Sequence, residues 1–179
     1  ADSLYLIAHV MSEKWHTFYT NALYNEKKDM ENTTQNIQAE KTFGAGVNDL
    51  YDAWINPDKL KAWWKPAGNK LVNVENDERE GGTIRYELEG NDNEKTIVIT
   101  GQYKEVQPAQ RLVYSWDWQI PGSDHLSSNH FELTIEFSGE GNGSKIAVRQ
   151  ESEDREESVH PRKKGWEDEL ESLNQFLGK

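Results

Sequence analysis

The chain has no cysteine, which removes thiol nucleophiles, disulfide frameworks and thiolate zinc sites at once. Positive charge is in short supply. Against 32 Asp and Glu stand 20 Lys and Arg, a formal net charge of -12 in 179 residues, with a sequence pI near 4.9. A phosphate-binding surface needs clustered cations, so nucleic acid is excluded as a partner and anionic membrane surfaces are disfavoured. Long apolar runs are missing too. The most apolar early stretch, residues 4–10, is interrupted by His9 and falls far short of the roughly 20 residues that span a bilayer. No membrane insertion and a cytoplasmic location are the expectations.

What the chain does have is large aromatic side chains. Hydrophobic residues make up 35% and mean hydropathy is -0.93, yet 7 Trp, 7 Tyr and 5 Phe concentrate the apolar share in bulky groups. That supports a real core or a lined cavity within a single domain, and it is unlike the composition of a disordered chain.

Residues 1–35 read as a separate segment. Leu4, Ile7, Met11, Trp15, Phe18 and Ala22 recur at helical spacing behind Ser3 as N-cap, predicting one amphipathic helix. A polar run over 25–36 then reads as a linker. The helix would dock or dimerise, or pack as an accessory on its own domain.

From residue 36 to 179 the pattern is strand-like with helical interruptions. A first strand over 37–43 precedes helices over 47–55 and 58–64, the first ended by Asn56-Pro57. Six further strands follow over 71–74, 83–89, 96–106, 111–120, 131–137 and 145–150. The alternation puts Ile84, Tyr86 and Leu88 on one face, with Ile97, Ile99, Tyr103, Leu112, Tyr114, Trp116, Trp118, Phe131, Leu133, Ile135, Phe137, Ile146 and Val148. Arg85, Glu87, Ser115, Asp117, Glu132, Thr134, Glu136, Lys145 and Arg149 fall on the other. One wet face and one aromatic face are the mark of an antiparallel sheet. The apolar face needs a cover, and a final helix over 162–177 offers Trp166, Leu170, Leu173 and Phe176 or Leu177 as a stripe, with Glu167, Asp168, Glu169 and Glu171 around it. The fold class is α+β: a curved antiparallel sheet wrapped around a long C-terminal helix.

This order of elements is the helix-grip arrangement, and particular residues sharpen the likeness. The stretch from Val47 to Trp64 (VNDLYDAWINPDKLKAWW), Gly81-Gly82-Thr-Ile-Arg-Tyr86, the run from Gly101 to Trp116, and Gly165-Trp166 followed by Leu170 and Leu173 together resemble the family of heat-shock-protein-90 ATPase activator homologues. The resemblance covers residues 37–179. It implies a START-like (SRPBCC, Bet v 1-like) fold whose sheet and last helix enclose a cavity for apolar molecules. In eukaryotic chaperone activators this domain accompanies a separate N-terminal domain carrying much of the chaperone contact. Relatives in the wider superfamily include lipid carriers, ligand receptors and polyketide cyclases.

The aromatic residues are the candidate binding residues. Trp54, Trp63 and Trp64 from the short helices, Tyr86, Tyr103, Tyr114, Trp116, Trp118 and Phe137 from the sheet, and Trp166, Leu170 and Leu173 from the last helix would converge around a small apolar or aromatic ligand. The competing reading is that they simply fill a core.

No catalytic constellation stands out. His125 and His130, beside Asp124, lack the third converging ligand and the helical His spacing of a metal site. Ser115, Ser127, Ser128 and Ser138 occupy no nucleophile elbow. Residues 151–157 read as a charged loop, with gating of the cavity as the alternative, and residues 139–143 as a hairpin turn. No metal and no cofactor are expected. Three functions stay open: non-enzymatic binding of an apolar, lipid-like or polyketide-like ligand; an interaction module, linked to chaperones or self-associating through the N-terminal helix; and a cyclase-like enzyme.

Overall fold

The computed structural model describes residues 35–90, 96–119, 129–152 and 163–178. The expected N-terminal helix, the linker up to residue 34, and His125 with its neighbours lie outside the described residues, and residues 35–36, read as the end of the linker, begin the first strand. Strand β1 (Gln35–Phe43) leads into helices α1 (Val47–Ile55) and α2 (Pro57–Trp63). A 3-10 turn (Pro66–Gly68) and strands β2 (Lys70–Asn76), β3 (Thr83–Glu89), β4 (Thr96–Gln107), β5 (Arg111–Gln119), β6 (Asn129–Glu140) and β7 (Gly143–Ser152) follow, and helix α3 (Lys163–Leu177) comes last. This is the expected order, and the 3-10 turn is its one addition.

Local chemistry sets the helix breaks. Pro57 opens α2, where its missing N–H costs nothing, and the Asn56 side chain accepts the N–H groups of Asp58 and Lys59. The sequence starts this helix one residue later. Trp63 Nε1 donates to Ala53 O at 2.8 Å, so α2 is tied back onto α1 by a buried bond.

The strands form one antiparallel sheet in the order β1-β7-β6-β5-β4-β3-β2. Neighbours in sequence are neighbours in space except at one end, where β1 pairs with β7 from Gln35↔Ser152 to Phe43↔Ser144. Register shifts between Leu71 and Asn73 and between Tyr103 and Glu105 bend the sheet into a half-barrel. The β4–β5 ladder is also irregular at Gly101. There a Cβ would lie 2.0 Å from Ser115 O, and Gln102 N–H donates to Ser115 Oγ. Only glycine tolerates that approach.

The inner face is apolar as the alternation requires, and α1, α2 and α3 pack across it. One expectation fails on the outer face: Thr134, placed outward, is buried there, as is its neighbour Val113. They are cross-strand partners, and Glu105 pairs with Val113 and Arg149 with Thr134, so long side chains surround the pair. The rest of that face carries ion pairs as expected: Lys104 with Glu132, Arg111 with Glu105 and Glu136, and Lys145 with Glu40. Pairs this exposed contribute little each. A second correction concerns α3, where Glu169, read as part of the solvated face, is buried.

Candidate functional site

All twelve candidate residues are buried in the concave interior: Trp54, Trp63, Trp64, Tyr86, Tyr103, Tyr114, Trp116, Trp118, Phe137, Trp166, Leu170 and Leu173. They form two ring clusters. On the sheet, Trp116 is the hub, with centroids of Trp64 at 5.4 Å, Tyr86 at 5.6 Å, Tyr114 at 5.8 Å and Trp118 at 6.2 Å. Under α3, Trp54 stacks on Trp166 at 6.1 Å and leans on Trp63 and Phe137. Edge-to-face and offset geometries dominate, as the ring quadrupole favours. A hydrogen bond joins the clusters: Trp54 Nε1 donates to the Tyr114 hydroxyl at 3.3 Å.

The polar groups inside follow a pattern. Tyr103 donates to Asn76 Oδ1 at 2.7 Å, and Asn76 Nδ2 donates to Ile55 O at 2.8 Å, bridging β4 through β2 to the end of α1. Tyr51, on α1, donates to Glu78 in the β2–β3 loop. Trp166 Nε1 donates to Gln150 Oε1 at 3.0 Å. By contrast, the buried Trp116 Nε1–H has no acceptor among the described residues. Burial holds Tyr86, Tyr103 and Tyr114 well above the usual phenol range, and burial plus the Glu78 carboxylate does the same to Tyr51. The phenols are therefore protonated donors at neutral pH.

Glu169 is the one buried carboxyl group among the described residues. Its Oε2 accepts the Lys65 N–H at 3.1 Å, where the chain leaves α2. Burial pushes its pKa up to about 7, the Lys65 N–H opposes that shift, and nearby Asp168 adds to it. Sequence reasoning missed this residue together with Tyr51, Asn76, Glu78 and Gln150. For Glu169 a signal exists, since Trp166, Glu169, Leu173 and Phe176 step by three, four and three along one helix face. Asn76 and Glu78 sit in and after a short polar strand end, where no period marks them.

Elsewhere the chemistry is sparse. His130 pairs with Asp117 on the outer face rather than with a metal-binding cluster, and no group of three metal-ligating side chains occurs among the described residues. No helix among them is long and apolar enough to cross a membrane.

Comparison with known proteins agrees with this architecture. A protein of Chromobacterium violaceum superimposes with a TM-score of 0.67 at 21% identity, covering 80% of this chain and 97% of its own. One from Rhodobacter sphaeroides gives 0.68 at 19% identity, over 80% and 92%. DynU16, from the dynemicin biosynthetic locus, gives 0.57 at 15% identity, over 80% of this chain and 47% of its own. At these identities the likeness is one of fold. No curated protein matches the sequence. Residues 45–178, which hold both helices that frame the ring clusters, all strands but the first, and α3, match the family described as Activator of Hsp90 ATPase homolog 1-like protein, and the chain belongs to that family.

Proposed function

We propose that this domain binds a small apolar or aromatic molecule, without transforming it, between the inner face of the sheet and α3. The observation that carries the reading is the gathering of aromatic side chains from three layers, the sheet, the α1–α2 pair and α3, onto one concave surface with few hydrogen-bonding groups among them. Sites for small apolar molecules combine such walls with a small number of fixed polar groups. The START-like fold supports the reading, and so does the likeness to a protein from a biosynthetic locus. Fold alone leaves the ligand open.

The test compares intact mass under native and denaturing conditions, for protein as purified and after incubation with apolar extracts. A discrete excess mass released on denaturation is the expected result. Equal masses throughout, with no binding of an apolar dye, would overturn the reading.

One observation favours a second reading, a cyclase-like enzyme. Glu169 is a buried carboxyl group able to give or take a proton near neutral pH, and it lies one helical turn from Trp166. Turnover of a polyketide-like substrate, lost in Glu169→Gln, would select it.

A further inference from the structure

Among the described residues, the inner face of the sheet holds a buried donor without an acceptor. Trp116 is 3% exposed, and its indole N–H meets no acceptor among the described residues. Such a group forfeits its hydrogen bond to water and gains nothing in return, a cost a folded chain rarely accepts without a partner. Two neighbours add to the imbalance. Tyr114 accepts from Trp54, which leaves its own O–H to give. Tyr86, whose ring lies 5.6 Å from that of Trp116, is likewise a protonated phenol. The four rings around Trp116 carry no positive charge. The Glu78 carboxylate acts on the Tyr103 hydroxyl, so the charge felt on that side of the interior is negative.

We infer that the bound molecule presents a neutral acceptor oxygen, a ketone, quinone or ester carbonyl, to Trp116 Nε1–H, with the Tyr86 and Tyr114 hydroxyls beside it. A pure hydrocarbon leaves the indole N–H unsatisfied. A carboxylate brings a charge that this donor set, lacking any cation, does not compensate. The selected class is therefore an uncharged polycyclic or otherwise apolar carbonyl compound. This rests on the ligand-binding reading above and narrows it.

The test uses fluorene and 9-fluorenone, which share a skeleton and differ by one carbonyl, and fluorene-9-carboxylate as the charged counterpart. Affinities for the full chain and for Trp116→Phe are measured by equilibrium dialysis. The indole proton of Trp116 is followed by nuclear magnetic resonance, assigned by its loss in Trp116→Phe or Trp116→Tyr. The ratio of fluorenone to fluorene affinity is expected to fall roughly tenfold in Trp116→Phe, while fluorene binding persists. The Trp116 indole proton is expected to move downfield with fluorenone and not with fluorene, and the carboxylate to bind most weakly. Equal affinity ratios in both proteins with an unmoved indole proton would overturn this inference and leave the ligand-binding reading standing. Tightest binding of the carboxylate would overturn it as well. Absence of binding by all three probes would count against the parent reading instead. Where Trp116→Phe fails to fold, the indole shift in the unaltered protein decides.

Discussion

At the scale of single residues, two buried indoles on facing layers show how a polar edge is managed inside an apolar wall. Trp166 spends its N–H on Gln150 Oε1 at 3.0 Å, whereas Trp116 meets no acceptor among the described residues. The Trp166 bond is therefore structural. Replacing Gln150 by Leu strands the donor, and a stranded buried donor costs more than a hydrogen bond contributes. Gln150→Leu is expected to lower unfolding free energy by about 1–3 kcal/mol in urea titrations at constant m. The pair Gln150→Leu with Trp166→Phe is expected to lose less than the two single changes added together. A neutral Gln150→Leu would show that the bond contributes nothing. Strand alternation made both tryptophans legible as inward-facing residues. Which indole finds a partner was not legible, because Gln150 lies on a strand and Trp166 on a helix, and neither period describes how the two meet.

At the scale of elements, α3 is the lid of the interior, and Glu169 is where it meets the exit from α2. Strict three- and four-residue spacing puts Glu169 on the buried stripe, but a carboxyl group reads as solvated wherever acids abound, as they do at Glu167, Asp168 and Glu171. Only the hydrogen bond from the Lys65 N–H reveals its place. The strands were legible for the opposite reason: their period of two is strict and glycines punctuate it. Glu169 gives α3 a pH dependence of definite sign. Its pKa rises from 4.5 to about 7 on folding, so between those values the folded state holds more protons than the unfolded one. Stability contributed by this group is thus greatest below the unfolded value and declines as pH climbs through the folded one. The full decline is about 3 kcal/mol, set against the opposite trend of ordinary paired carboxylates such as Glu171 with Lys41. Glu169→Gln keeps an acceptor for the Lys65 N–H and removes the titration. Urea midpoints from pH 5 to 8 are expected to fall less steeply in the variant, which should be the more stable protein at pH 8. Parallel profiles would mean that Glu169 is ionised throughout.

At the scale of the whole molecule, the sheet is a chain of local hairpins closed by one distant pairing, β1 with β7. Periodicity identifies each strand but is silent on that closure, since Phe43 and Ser144 are remote in sequence. The closure matters for the lid, because β1 also packs against α3 and Lys41 reaches Glu171 at 2.9 Å. This sets the minimal folding unit. Residues 35–179 group together by their contacts, and we propose that they fold and bind as an independent domain. A chain of residues 35–179 is expected to unfold in one cooperative transition and to bind fluorenone with the affinity of the full chain. A chain of residues 44–179 loses β1, exposes the edge of β7 and removes one support of α3, so it is expected to lack a cooperative transition. If the longer piece also failed, residues 1–34 would be part of the folding unit. If the shorter piece folded and bound, β1 would be dispensable, and α3 would be supported by its contacts with α1, α2 and the 3-10 turn and by the Trp166 bond to Gln150 on β7.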